Sequence, residues 1–470
     1  SAAMDLRKTS VVSLAKDVQA GNLSARELTQ AALKNIEQLN GTLNAFCAVN
    51  PEQALAEADA VDAAIKRGES LPLAGVPIGV KDLEDAKGFI TTYGSALHTQ
   101  DAAAGSDSEL VRRLKAAGCV VLGKTNTPEF GHKGKTDNIP FGATLNPWNL
   151  GYTAGGSSGG TAAALASGMI PLGTGSDGGG SIRGPSAICG LSGIKTSQGR
   201  IPNGGINPPG SGLLTVKGPM ARTALDTAYV LDQTVGDCKT DIFSLPDKTE
   251  HWYDGVQAAT LPKTVIWSAT MGFATLDNEI RAKSENAIAL LRSNGVKVIE
   301  IDNIWSEDPV RSWLVFWFSA RARAQQHLMD TDDWEKIDPV LRTMITIGAT
   351  KMSGPDYASA IDAAHRLNFE LEMAFEQAPL ILTPGACGHT PTLAGDGLVN
   401  GAETTSWLGY TMGLNMTRNP AGVVPIGFSD VGMPLALQVI GRQREDLSVL
   451  AAMHALEQIF EFKTSAANGL

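Results

Sequence analysis

The stretch Gly155–Ser197, GGSSGGTAAALASGMIPLGTGSDGGGSIRGPSAICGLSGIKTS, decides how the rest of the chain is read. Its only charged residues are Asp177, Arg183 and Lys195, and from Asn138 to Ser176 the chain carries no Asp, Glu, Lys or Arg at all. A surface segment rarely stays uncharged that long, so most of it belongs inside the fold. Pro, Gly and polar residues interrupt every apolar run, which excludes a membrane span. Buried glycines mark places where backbone approaches something closely or takes positive φ, and buried hydroxyls need partners. Two serine-bearing glycine clusters, around Ser157 and Ser181 and joined by a small-residue helix, read as a site.

Working outward, short apolar strands alternate with amphipathic helices. Ser24 and Glu27 form a capping box before ARELTQAALKNIEQLN, a helix, and PEQALAEADAVDAAIKRG is a Pro-led, Gly-ended second one. LAGVPIGVKD reads as a buried strand ending near Lys81, followed by the helix DSELVRRLKAAG and the strand CVVLGKT. Further strands are expected at KTVIWSA, VKVIEID, PLILTPG and MPLALQVIG, and a closing helix at REDLSVLAAMHALEQIF. The alternation predicts an α/β fold with a mixed, largely parallel central sheet flanked by helices. The 470 residues are expected to form a single domain, with a helical insertion over 305–377. Residues 1–3, before Met4, look like a tag remnant. The Pro/Gly-rich segment within 198–215 reads as an ordered surface loop, and the residues leave open whether it is a lid.

Composition narrows the function. With 43% hydrophobic and 19% charged residues, the chain is an ordinary globular protein. A net charge of −11 without a basic cluster argues against nucleic acid and anionic membranes as partners. The cysteines at 47, 119, 189, 238 and 387 show no CxxC spacing, which fits a reducing, cytoplasmic compartment and argues against a disulfide frame or a metal site. No apolar signal segment stands at the N-terminus. The assembly expected is a monomer or homodimer.

Two motifs mislead. GCVVLGKT, Gly118–Thr125, satisfies the P-loop pattern, but a strand interior lies between its glycines and no helix follows Thr125. Gly155–Gly159 satisfies G-x-S-x-G around Ser157, yet the histidines are dispersed and none sits in a catalytic context. A serine site then needs another base. Lys81, at the end of an apolar strand, serves if burial depresses its pKa towards neutrality. A strand-end lysine can equally reach to water, and the residues alone leave both readings open.

GVPIGVKD, GKTNTPEF, NPWN, GGSSGGTAAALASG, GSDGGGSIRGPSAICGLSGIKTS and MPLALQVIGR together resemble the amidase signature family over nearly the whole chain. The resemblance implies that Ser181 is the nucleophile, that Ser157, after a cis peptide bond, is the bridging serine, and that Lys81 is the base. Gly178, Gly179, Gly180 and Ser181 match its oxyanion hole. Ser158, Asp177 and Arg183 match residues that support it, and Phe130, Gly131 and His132 match the substrate channel; the aromatic-rich Trp313–Ala322 reads equally as a further wall or as an amphipathic core helix. The family commonly carries a larger residue where Gly178 stands, so extra room beside the acyl carbon is expected. The implied chemistry is hydrolysis of a C–N acyl bond in a small-molecule amide or carbamate, without metal or organic cofactor. Few charges around the two clusters favour an apolar or aryl substrate. One alternative is the glutaminase subunit of a tRNA-dependent amidotransferase, for which no Arg and Asp grip on glutamine is evident. The other is a catalytically silent binding protein on the same fold, which the intact Lys81, Ser157 and Ser181 argue against.

Overall fold

The computed structural model describes residues 4–206, 211 and 214–463; the segments 1–3, 207–210, 212–213 and 464–470 lie outside the described residues. The loop expected within 198–215 falls partly on them.

The fold is α/β with mixed sheets, as the sequence predicts, but its long strands form two sheets instead of one. In the first, the order is Phe46–Val49, Val120–Thr125, Pro77–Lys81, Leu172–Asp177, Val216–Met220. The middle three are parallel and both edges antiparallel. In the second, the order is Lys297–Glu300, Thr264–Trp267, Leu380–Pro384, Pro434–Gly441, Ala421–Phe428, Gly193–Lys195. Its first three are parallel and the rest antiparallel. The parallel pairs follow helical crossovers such as Glu109–Ala116 and Asn278–Ser293, whereas Ala421–Phe428 returns directly into Pro434–Gly441 as a hairpin.

Local chemistry explains the elements that carry the site. Ser24 Oγ accepts from Glu27 N at 2.9 Å and Glu27 Oε1 accepts from Ser24 N at 3.4 Å, so both halves of the capping box exist. The helix Gly159–Ala166 is buried on all sides. Its small residues are required because a Cβ at Gly160 would run into Asn126 N and Ala45 O. The P-loop look-alike is a strand in which Val120 to Thr125 are all buried, and Lys124 Nζ pairs with Asp82 Oδ1 at 2.9 Å. Helices Val310–Gln325, Pro339–Lys351 and Gly354–Phe375 fill most of the 305–377 stretch. Among the described residues, no helix is long and apolar enough to cross a membrane.

Candidate active site

A cavity of about 600 Å³ opens where the first sheet ends, and Lys81, Ser157, Ser176, Gly178 and Ser181 all line it. Lys81 is the last residue of the strand Pro77–Lys81 and is 1% exposed. Its backbone N–H donates to Thr174 Oγ1 at 2.9 Å, fixing the strand against Leu172–Asp177. Two residues further along that neighbour, on the same face, Ser176 reaches the lysine side chain. Lys81 Nζ hydrogen-bonds Ser157 Oγ at 2.6 Å, Ser158 Oγ at 2.8 Å and Ser176 Oγ at 2.9 Å. Among the described residues, no carboxylate pairs with it. Burial pulls its pKa from the ordinary 10.5 down to about 7, against the opposing pull of Asp177 and Glu84. The amine is thus poised to be neutral at physiological pH.

The Gly156–Ser157 peptide bond is cis. Ser157 is buried with its hydroxyl on Lys81, while Ser181 is half-exposed in the same cavity. Ser158 N donates to the Ser181 carbonyl at 3.3 Å, linking the two clusters. No hydrogen bond joins the Ser157 and Ser181 hydroxyls among the described residues; catalytic hydrogen bonds often tighten only when substrate is bound.

The glycine run is pinned from behind. Trp313 Nε1 donates to the Gly178 carbonyl at 2.9 Å, and Thr411 Oγ1 donates to the Gly179 carbonyl at 2.6 Å. Because carbonyl and N–H point oppositely across a trans peptide, these bonds turn the amides of Gly179 and Gly180 to the other side. Among the described residues, the amides of Gly178, Gly179, Gly180 and Ser181 make no hydrogen bond within the protein. Gly180 takes φ +136°, and a Cβ there would sit 2.5 Å from Thr411 Oγ1, so only glycine fits.

Asp177 and Arg183 lie behind this loop, both fully buried. Arg183 Nε and Nη2 donate to the two Asp177 carboxylate oxygens at 3.0 Å each, with Gln438 and Asn415 as further acceptors. Burial pushes the Asp177 carboxyl up, but the Arg183 guanidinium and Asn415 outweigh it and hold it well below the ordinary carboxylate range. Asp177 also accepts the N–H groups of Ile182 and Arg183, closing the turn that carries Ser181. Asp177→Asn leaves a buried guanidinium unpaired, so the expected loss is about 3–5 kcal/mol of stability. Denaturant titration of the variant against wild type checks this.

Several expectations shift. Phe130 and Gly131 line the cavity, but the His132 ring does not; it is buried with Nδ1 on the Glu129 carbonyl at 2.6 Å and Nε2 3.6 Å from Asp338. Phe130 (φ +51°) and Gly131 (φ +68°) are successive left-handed residues that turn the chain, and so the ring, away from the cavity. The room expected beside Gly178 is taken, since a Cβ there would meet Trp317 Cζ3 at 2.7 Å. Trp317 and Arg321 line the cavity from the helix Val310–Gln325. Nor is the cavity poor in charge. Glu84, Asp85, Asp107, Glu109, Lys217 and Arg321 contribute to its walls, all from segments remote in sequence from the uncharged stretch.

Against this geometry stand the comparisons with known proteins. The family model described as Amidase matches residues 27–450. The chain belongs to the amidase signature family. A protein assigned as amidase AmiB2 of Mycobacterium tuberculosis is 35% identical, over 96% of both chains. A glutamyl-tRNA(Gln) amidotransferase subunit of Acinetobacter baumannii is 32% identical, over 98% of both. The crystal structure of a bacterial aryl acylamidase of this family superposes with a TM-score of 0.89 at 28% identity, covering 97% of this chain and 98% of that one. The chain is therefore an amidase signature hydrolase, of a family acting on C–N bonds.

Proposed function

We propose that this amidase signature hydrolase cleaves the C–N acyl bond of an aryl or apolar amide or carbamate through Ser181, Ser157 and Lys81. The observation that carries the reading is the 2.6 Å bond between a buried lysine of depressed pKa and Ser157, in one cavity with Ser181 and Gly178, whose amides make no hydrogen bond among the described residues.

Neutral Lys81 takes the proton of Ser157, and Ser157 takes that of Ser181 as its oxygen attacks the acyl carbon. The oxyanion that forms is stabilised by the amides of the Gly178–Ser181 run, of which each good donor contributes roughly 3 kcal/mol in the transition state. The C–N bond then breaks, and the leaving nitrogen receives the proton back from Lys81 through Ser157. An ester on Ser181 remains. Water attacks it, loses its proton to the same relay, and releases the acid.

The aromatic walls favour a flat or apolar group. Tyr93 stacks on Phe130 with ring centroids 5.7 Å apart, and Leu83, Leu110 and Trp317 extend the surface. The test is amine release from an aryl anilide, an aryl carbamate and a peptide C-terminal amide, with wild type and Ser181→Ala side by side. Turnover of at least one, lost in the variant, is expected.

The similarity to the glutamyl-tRNA(Gln) amidotransferase subunit over 98% of the chain favours a second reading, a glutaminase that feeds ammonia to a partner. Silence on all three amides, with glutamine hydrolysis appearing on addition of partner subunits, selects it.

A further inference from the structure

Arg321 is a cation of the cavity that the relay does not use and that no carboxylate pairs with among the described residues. It is 6% exposed. Its Nη1 donates to the Phe130 carbonyl and its Nη2 to Ser211 Oγ, both at 2.8 Å. Its guanidinium lies over the Trp317 ring, 4.6 Å from the centroid. Among the described residues, Nε has no hydrogen-bond partner. No carboxylate pairs with it among the described residues, and the charge that acts on it is the like charge of Arg323, which adds to burial in lowering its pKa to about 10. The stretch 198–215, which supplies Ser211, contains no Asp or Glu.

A buried guanidinium is ordinarily paired, because an uncompensated charge in a low-dielectric site is costly. Arg183 shows the ordinary case in this molecule, clasping Asp177 with two nitrogens. Arg321 has five N–H donors, of which two are used, leaving a fork able to take a carboxylate by two bonds. The acidic groups of the cavity offer no such opening. Glu84 accepts from Ser108 Oγ at 2.5 Å, Asp85 from Thr91 Oγ1 at 2.7 Å, Asp107 pairs with Lys115 at 3.1 Å and Glu109 with Arg113 at 2.8 Å. The protein's own donors occupy the acidic groups, while the arginine is left for a ligand. Its placement suits that task. Trp317, one helical turn before it, covers Gly178, and Phe130, whose carbonyl it holds, precedes Gly131, whose Cβ position is 3.3 Å from Ser157 Oγ.

We infer that Arg321 is an anion-recognition residue of this cavity, and that the preferred substrate is an amide or carbamate bearing a carboxylate a short arm from the scissile bond. The inference rests on the hydrolase reading above for the bond cleaved. Its test is binding, which needs no turnover.

Calorimetric titration of the Ser181→Ala protein with two matched pairs of probes reads it. Succinic acid mono-4-nitroanilide against butyric 4-nitroanilide places the charge in the acyl half, and 4-acetamidobenzoate against 4-methylacetanilide places it in the amine half. In at least one pair the anion is expected to bind at least about tenfold more tightly, the effect of one charge-assisted double hydrogen bond. Adding Arg321→Met is expected to erase that ratio, and adding Arg321→Lys to restore part of it. A residue that only holds the Phe130 loop would weaken both members of a pair by the same factor. Equal affinities within both pairs, no anion binding at millimolar concentration, or a preference that survives Arg321→Met each overturns the proposal. The ratio before any change at Arg321 already decides the first two, even if a variant fails to fold. Failure of the hydrolase reading shows elsewhere, as amide turnover by wild type that persists in Ser181→Ala or never occurs.

Discussion

Ser181→Ala is expected to lower kcat by about 10⁴–10⁶-fold, the scale seen when a nucleophilic serine is removed from a relay that works as a unit. The protein should fold as before. The Ser181 side chain is half-exposed in the cavity, and the hydrogen bond the residue makes to Ser158 N uses its backbone carbonyl, which alanine keeps. The competing assignment is that Ser157, already bonded to Lys81, attacks directly. Two observations weigh against it: Ser157 is only 3% exposed, and the unpaired amides sit beside Ser181. Ser157→Ala should also be severely impaired, so kinetics alone do not separate the two serines. A fluorophosphonate label followed by peptide mapping does. Label on the peptide containing Ser181, absent from Ser181→Ala and present at a reduced rate in Ser157→Ala, is the expected pattern. Label on Ser157 in wild type would reverse the two roles.

The place of this centre can be read from residue types, whereas the separate roles of Lys81, Ser157 and Ser181 come from the family resemblance. A lysine closing an apolar strand, and glycines flanking serines in an uncharged stretch, are unusual enough to point at one another. Other parts depend on tertiary docking that no local pattern encodes. Trp313, Trp317 and Arg321 recur at helical spacing and read as one face of an amphipathic helix; only its docking reveals that Trp313 pins Gly178 and that Arg321 faces the cavity. Thr411 is equally silent, being remote in sequence from the Gly179 carbonyl it holds. Ser176 was within reach, since alternation along Leu172–Asp177 puts it on the face of Thr174. The strand Ala421–Phe428 escapes notice because Pro425 and Gly427 look like breakers, yet a bulge at those residues absorbs them. Two sheets replace the one expected because strand patterns carry no information about which strands pair across long connections.

Under the proposed relay, Lys81 sets the pH behaviour of the reaction. The relay needs its neutral form, and burial brings the pKa to about 7. Wild-type kcat/KM is therefore expected to be level at alkaline pH and to fall about tenfold per unit as pH drops below about 7. A rate that stays flat down to pH 5 would exclude a lysine base. Lys81→Met removes the base while keeping an unbranched side chain of similar length, and should cost about 10²–10⁴-fold in kcat with the acidic limb abolished. A purely structural lysine would give a different signature, a loss of activity that tracks loss of fold. Linkage separates them independently of activity. The amine binds its proton less firmly in the folded protein (about 7) than in the unfolded chain, where it has its ordinary 10.5. The unfolded state therefore holds more protons across that interval, and stability contributed at this position rises with pH between those values. Wild type should gain stability relative to Lys81→Met as pH climbs from 7 to 10, measured as the difference in unfolding free energy between the two proteins. A difference that does not change with pH means that the folded amine keeps an ordinary pKa, and Lys81 then could not act as the base at neutral pH.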